Sequence, residues 1–114
     1  MTWDELVALA AELPEVTVST SYGTPALKIR GKLLTRLRTE DDSLVLLDVP
    51  PEERAMLIEA RPDLFHTTPH YEPYPAVLAR LSMLDPETAR GFLERRWRGI
   101  APKRVVSVWD MSQA

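Results

Sequence analysis

Residues 26–49, ALKIRGKLLTRLRTEDDSLVLLDV, decide the fold class of this chain. Apolar side chains alternate with basic or polar ones on both sides of Gly31-Lys32, which is the pattern of half-buried strands. Glu40-Asp41-Asp42 interrupts the pattern a second time, as a turn does. The stretch therefore predicts a meander of three strands, over residues 26–30, 33–38 and 44–49.

The alternation separates the side chains of this meander onto two faces, because successive side chains of a strand point in opposite directions. One face, expected to lie beneath helices, carries Leu27, Ile29, Thr35 and Leu37. The other face carries Lys28, Arg30, Arg36 and Arg38. We therefore expect an antiparallel sheet with one solvated, basic face.

Helix signals flank the meander on both sides. Thr2 and Glu5 have the spacing of a capping box, and Asp85-Pro86 combines a strong N-cap with a proline suited to the first turn. A further helix begins at Pro51 and is stopped by Arg61-Pro62. Helices are predicted over residues 3–13, 51–61 and 86–99, and additional strands over residues 16–22, 65–71 and 76–82.

The order of these elements, α-β(3–4)-α-β(2)-α, lacks the regular alternation of strand and helix that a parallel sheet requires. It predicts a two-layer α+β fold in which helices cover one face of an antiparallel sheet. A chain of 114 residues has the size of one domain, and a hydrophobic content of 45% suits one core. We therefore expect residues 1–114 to form a single domain.

Composition excludes several classes of site. The chain has no cysteine, so it cannot form disulfides, thiolate zinc sites or a cysteine nucleophile. The acidic N-terminus lacks the basic and apolar regions of a secretory signal, and no run of about 18 apolar residues could cross a membrane. We expect a cytoplasmic location and no membrane partner, and the net charge of −3 argues against general attraction to polyanions.

Six landmarks run in order along nearly the whole chain. They are Ser21-Tyr22-Gly23-Thr24-Pro25-Ala26, Gly31-Lys32, Pro51-Glu52-Glu53, Thr68-Pro69-His70-Tyr71, Trp97 and Ala101-Pro102-Lys103. As an ordered set they resemble the MmcQ/YjbR-like family. The resemblance implies the two-layer fold of secretion-chaperone-like domains and a proposed DNA-binding role, with no established reaction or cofactor. Ala76 departs from the family pattern, because many relatives carry tryptophan there.

A polyanion-binding surface is the leading functional prediction. Residues 28–38 hold five cations and no acid, and the predicted helix 86–99 with its exit adds others. Clustered cations attract phosphates, so DNA is the expected partner. Alternatively, Glu40, Asp41 and Asp42 pair with the hairpin arginines, and the cations form an ordinary solvated surface. The candidate residues are Lys28, Arg30, Lys32, Arg36, Arg38, Arg95, Arg98 and Lys103.

A ligand pocket is the second functional prediction, with a small molecule, a peptide or a protein as the partner. Two turns combine aromatic and polar residues, and such loops shape binding sites in many folds. Their prolines and glycine equally suit a purely structural role. The candidate pocket residues are Tyr22, Thr24, His70 and Tyr71.

Catalytic and metal sites are not predicted. His66 and His70 have i, i+4 spacing, but an extended segment separates such residues by roughly 13 Å, too far to share a zinc ion. No spacing links a serine or threonine to His70 and an acid such as Asp48 or Glu72. We therefore expect a binding module without enzymatic activity or a cofactor.

Overall fold

The computed structural model describes residues 1–113 and has the predicted α+β architecture. Six strands form one antiparallel sheet in the order β1-β2-β3-β4-β6-β5. The strands are β1 (Val16–Ser21), β2 (Thr24–Ile29), β3 (Lys32–Arg38), β4 (Ser43–Leu47), β5 (Phe65–His66) and β6 (Ala76–Arg80). The helices are α1 (Trp3–Ala10), α2 (Pro51–Ala60), α3 (Pro86–Ile100) and α4 (Lys103–Gln113), and a short 3-10 turn spans Leu81–Met83.

The main core lies between the helices and one face of the sheet. Trp97 of α3 is completely buried, and its indole Nε1 donates to the carbonyl of Pro14 over 2.9 Å. Leu27 and Ile29 are also buried in this core, and Leu37 packs against it, as the alternation predicts. The buried residues of the helices and the sheet form one apolar cluster, and its burial supplies the main driving force for folding.

Both predicted helix caps are confirmed. The Thr2 hydroxyl accepts from the Glu5 amide, and the Glu5 carboxylate accepts from the Thr2 amide, which completes the capping box. The Asp85 carboxylate accepts from the Thr88 amide over 3.0 Å at the start of α3. The first helix ends at Ala10 rather than at residue 13, and the chain then turns so that Leu13 enters the core.

A bulge in β3 controls which side chains reach the second face of the sheet. Leu27 pairs with Thr35 whereas Lys28 pairs with Leu33, so Leu34 is an extra residue in β3. Leu34 and Thr35 are both buried, and the Thr35 hydroxyl donates to the Val45 carbonyl over 2.6 Å. A bulge interrupts the alternation of a strand. It therefore allows Leu33 and Arg36, three residues apart, to line the same cavity.

The turn between β2 and β3 differs from the prediction. Its central residues are Arg30 and Gly31, with φ of 49° and 81°, and Ile29 pairs with Lys32. Arg30 therefore leaves the strand and does not share the face of Arg36 and Arg38. It lies instead in a groove beside α4, where its guanidinium bonds Glu15.

Two other segments correct the sequence interpretation. The predicted strand 65–71 is wrong beyond His66, because the chain turns back at residues 69–74. The helix α4 was not predicted, since its β-branched Val105 and Val106 give a weak helix signal. Val105, Val106 and Trp109 pack against the main core, and this tertiary contact supports the helix.

None of the helices within residues 1–113 has the length and apolar character needed to cross a membrane.

Candidate ligand pocket

A loop of residues 67–75, here called the cover loop, folds back over the second face of the sheet. Beneath it, Tyr71 joins Val45, Ala76 and Leu78 in a small buried cluster that is separate from the main core. This face is therefore covered in part, which corrects the sequence-based expectation of a solvated, basic face. Leu47 packs at the margin of the cluster.

The guanidinium of Arg54, on α2, anchors the cover loop. Nη1 donates to the carbonyls of Tyr71, Tyr74 and Ala76 over 3.3, 3.0 and 3.1 Å, and Nη2 donates to the carbonyl of Glu72 over 3.1 Å. Arg54 is buried and forms no ion pair with the described residues. A buried cation without a counter-ion is stabilised only when its donors are satisfied. Three carbonyls of the cover loop and that of Ala76, the first residue of β6, therefore fix both the arginine and the path of the loop.

Sequence reasoning did not find Arg54, although its spacing carried a signal. Arg54, Leu57 and Ile58 follow the i, i+3, i+4 pattern of an inward helix face. Leu57 and Ile58 pack against the main core, and Arg54 is buried on the same side of α2. A charged residue at an inward position indicates a structural or functional contact.

The cover loop, the sheet and the β1–β2 turn border an open cavity of about 440 Å³, here called the aromatic cavity. All three tyrosines of the chain contribute to its wall. Its lining residues are Tyr22, Leu33, Arg36, Val45, Leu47, His70, Tyr71, Tyr74 and Pro75. The structure thus brings together Tyr22, His70 and Tyr71 of the predicted pocket, from two turns about 50 residues apart in sequence.

The rings of the cover loop pack on one another. The His70 and Tyr71 centroids are 4.9 Å apart with the rings nearly perpendicular, and Tyr74 lies 5.8 Å from His70 and 6.3 Å from Tyr71. Edge-to-face contacts of this kind hold aromatic rings in defined orientations. Together with the Arg54 anchor, these contacts hold the cover loop against the sheet.

Arg36 is the one permanently charged residue among those lining the cavity. Its Nε and Nη2 donate to the Tyr71 hydroxyl over 3.2 and 2.6 Å, and its Nη1 donates to the Thr24 hydroxyl over 3.2 Å. The guanidinium carbon lies 5.9 Å from the Tyr22 ring centroid and 6.0 Å from that of Tyr71, within cation–π range. Thr24, the fourth predicted pocket residue, does not line the cavity, and its hydroxyl contacts Arg36 instead.

Tyr22 occupies a backbone position that does not favour tyrosine. Tyr22 and Gly23 are the central residues of the β1–β2 turn, with φ of 52° and 76°. Two positive φ values are typical of a type I′ turn, which prefers asparagine followed by glycine. Tyr22 is nevertheless present, and the residue is 92% exposed, so burial in the core does not explain it.

Carboxylates neutralise several of the predicted polyanion-binding residues. The closest nitrogen–oxygen distances are 2.7 Å for Arg30 and Glu15, 3.2 Å for Arg38 and Glu40, 3.0 Å for Arg95 and Glu53, and 2.7 Å for Arg98 and Asp110. The arginine bonds hold the pKa values of Glu15 and Asp110 below the usual range, because they stabilise the ionised carboxylates. Lys28, Lys32 and Lys103 form no ion pair within residues 1–113.

Ser43, His66 and Asp41 lie close together but do not have the geometry of a catalytic triad. His66 Nε2 is 2.8 Å from the Ser43 hydroxyl and 3.9 Å from the Asp41 carboxylate, so one ring nitrogen faces both partners. A triad requires the acid on the other nitrogen, and it requires an accessible nucleophile. The Ser43 residue is 0% exposed. Within residues 1–113, no group of three potential ligands could hold a metal ion.

Comparison with known proteins decides the family. The family model described as YjbR matches residues 11–99. The chain belongs to the YjbR family. The match confirms the resemblance found in the sequence. The matched region extends from the end of α1 to the end of α3.

Relatives of this YjbR domain occur in mycobacteria. The chain is 26% identical to an uncharacterised protein of Mycobacterium bovis and to uncharacterised proteins of two Mycobacterium tuberculosis strains. Each alignment spans 122 positions and covers 95% of both chains. No solved structure gives a significant match.

Proposed function

We propose that this YjbR domain is a non-enzymatic binding module that holds a small-molecule ligand in the aromatic cavity. The observation that carries the proposal is the presence of Arg36, a cation without a carboxylate partner among the described residues, in the wall of an otherwise aromatic and apolar cavity. Small-molecule sites combine a mainly apolar lining with a few placed polar groups in this way. Their volumes start at about 300 Å³, and the aromatic cavity exceeds this limit.

The charge distribution favours this proposal over binding of duplex DNA. A duplex is held by several cations that replace its counter-ions. Arg30, Arg38, Arg95 and Arg98 already contact carboxylates of the same chain. Their contribution to phosphate binding would require those ion pairs to break or to be shared.

Duplex DNA is the second proposed partner, and it is supported by Lys28, Lys32 and Lys103. These three lysines lack ion pairs within the described residues, and Lys28 and Lys32 belong to neighbouring strands. Three phosphate contacts predict modest affinity with a salt slope of about −3. Binding of this kind would be independent of the aromatic cavity.

The two proposals are separated by labelling the tyrosines with 3-fluorotyrosine. Because all three tyrosines line the cavity, every fluorine resonance reports on it. We expect saturable shifts with at least one member of a panel of neutral aromatics, aromatic acids, aromatic amines and aliphatic acids. The absence of saturable shifts with every member of the panel would contradict the cavity proposal.

A filled cavity provides the control for that experiment. Leu47→Trp places a larger side chain in the wall, and we expect it to abolish the shifts while the protein remains folded. Met111→Trp adds the same ring at an exposed position of α4, and we expect unchanged binding. If DNA binds through the lysines, both variants should bind a 20-base-pair duplex with the same affinity at about 50 mM salt and again at about 200 mM salt.

A further inference from the structure

We infer that the aromatic cavity takes a planar aromatic ring carrying one carboxylate. The inference rests on the proposed function and specifies the ligand class of the same site. It follows from the donors that Arg36 has available, from the rings around it, and from the unusual residue choice at Tyr22.

The carboxylate is indicated by the free donors of Arg36. A guanidinium has five N–H groups, and the hydrogen bonds to Tyr71 and Thr24 use three of them. One N–H remains on each of Nη1 and Nη2. Two donors on one planar group match the two oxygens of a carboxylate.

A phosphate dianion fits the same cavity less well. Phosphate sites in proteins combine several cations or backbone amides, because more charge must be balanced. Among the residues that line the aromatic cavity, Arg36 is the one permanent cation. One guanidinium balances one carboxylate.

The aromatic ring is indicated by the walls on either side of Arg36. Tyr22 and Tyr71 both place their ring centroids about 6 Å from the guanidinium carbon. Leu33, Val45 and Leu47 supply apolar surface from the sheet. A flat ring can therefore pack against tyrosine faces while a carboxylate attached to it reaches Arg36.

The residue at position 22 is an independent indication. The turn would accept asparagine at lower conformational cost, yet it carries a tyrosine that has almost no contact with the protein interior. Arg30 occupies the equivalent position of the β2–β3 turn but pairs with Glu15, whereas no hydrogen bond or ion pair within residues 1–113 accounts for Tyr22. A residue at odds with its backbone conformation is a candidate functional residue. Tyr22 has the exposed ring that a ligand would cover.

The inference is tested with four probes in the 3-fluorotyrosine assay. We expect 2-naphthoate to bind about tenfold or more tightly than 2-naphthamide, because a charge-assisted hydrogen bond is roughly twice as strong as a neutral one. The amine 2-naphthylmethylamine should bind more weakly than the amide. Cyclohexanecarboxylate, which has the charge without the aromatic ring, should bind at least about tenfold more weakly than 2-naphthoate.

Variants identify the residues responsible. Arg36→Gln should abolish the preference for naphthoate over naphthamide, and Arg36→Lys should restore part of it. Arg30→Gln removes an arginine of the same hairpin that lies outside the cavity, so it should retain the full preference. Tyr22→Asn suits the turn and should remain folded, while weakening naphthoate binding about tenfold. If the Arg36 variants do not fold, the Tyr22→Asn variant still tests whether naphthoate binds in the aromatic cavity.

Each failure has a distinct meaning. Equal binding of naphthoate and naphthamide would overturn the carboxylate, and equal binding of naphthoate and cyclohexanecarboxylate would overturn the aromatic ring; in both cases the cavity would still be a binding site. Saturable shifts only with panel members outside this ligand class would also overturn the inference but not the proposed function. The absence of any saturable shift would overturn both.

Discussion

The two faces of the sheet are covered by different chemistry. On one face, helices bury Leu6, Leu93 and Trp97 in a close-packed apolar core. On the other, three backbone carbonyls of the cover loop accept hydrogen bonds from the guanidinium of Arg54, which also bonds the first carbonyl of β6. Apolar packing is non-directional and fills space, whereas hydrogen bonds fix a loop at defined points. A loop fixed by hydrogen bonds can therefore leave a cavity between itself and the sheet.

The largest expected effect comes from the helix-covered face. Trp97→Ala removes a fully buried ring and its hydrogen bond to Pro14, and it should lower the free energy of unfolding by about 3–5 kcal/mol. Urea denaturation measures this loss. Trp109→Ala, at a half-buried ring 5.1 Å from Trp97, should cost clearly less. Equal costs for the two variants would contradict the central position of Trp97.

An intermediate effect is expected at the anchor of the cover loop. Arg54→Met leaves the carbonyls of Tyr71, Tyr74 and Ala76 without their donor, and should cost about 2–3 kcal/mol because the displaced loop can regain water. The same variant should abolish binding in the aromatic cavity. Denaturation and the fluorotyrosine assay measure the two losses.

The matched control for that variant is Arg61→Met. Arg61 follows the last residue of α2, is exposed, and bonds Asp63 over 2.8 Å. An exposed pair contributes little to stability, so we expect a change below about 1 kcal/mol and unchanged ligand binding. Similar losses in the Arg54 and Arg61 variants would show that the guanidinium of Arg54 does not anchor the loop.

The smallest expected effect is a pH dependence of stability that arises from His66 in β5, the edge strand of the sheet. Burial lowers the pKa of His66 from its ordinary value of 6.5, and the nearby Arg80 and Arg38 lower it further while Asp41 opposes them. The unfolded chain then binds a proton more readily than the folded protein. Stability is therefore full above pH 6.5 and declines as the pH falls through the lowered pKa.

Urea denaturation between pH 7.5 and 5.5 tests this dependence. The carboxylates of Glu15 and Asp110, whose pKa values are lowered, lose their contributions at more acidic pH and do not dominate this window. His66→Gln should flatten the decline relative to the parent protein. If the free energy of unfolding of the variant falls with pH as steeply as that of the parent, His66 is not the source of the pH dependence.

Local patterns predicted much of the molecule. The capping residues Thr2 and Asp85 locate two helix starts, and the alternation around Gly31 identifies the paired strands and the faces of Leu27 and Arg36. These signals act over a few residues, where backbone geometry and alternation control structure directly. The same local reasoning assigned Tyr22 and His70 to one candidate pocket, but it assigned Arg36 to a polyanion-binding surface and not to that pocket.

Long-range contacts explain what the patterns missed. The cover loop leaves the predicted strand because Arg54, on α2, donates hydrogen bonds to the carbonyls of Tyr71, Glu72 and Tyr74. The helix α4 depends on packing against the main core rather than on its propensity. The one-residue bulge at Leu34, which brings Leu33 and Arg36 to one cavity, depends on pairing with two neighbouring strands.

The sequence by itself determined the fold class and the starts of α1 and α3, because each follows from short-range periodicity or from backbone preference. Only the tertiary structure decided which cations are available for binding. Arg30 and Arg38 meet carboxylates, whereas Arg36, on the same hairpin, meets the tyrosine hydroxyl of a loop 35 residues away. Composition counts these three charges as equal, but the electrostatic role of each depends on partners that only folding brings within reach.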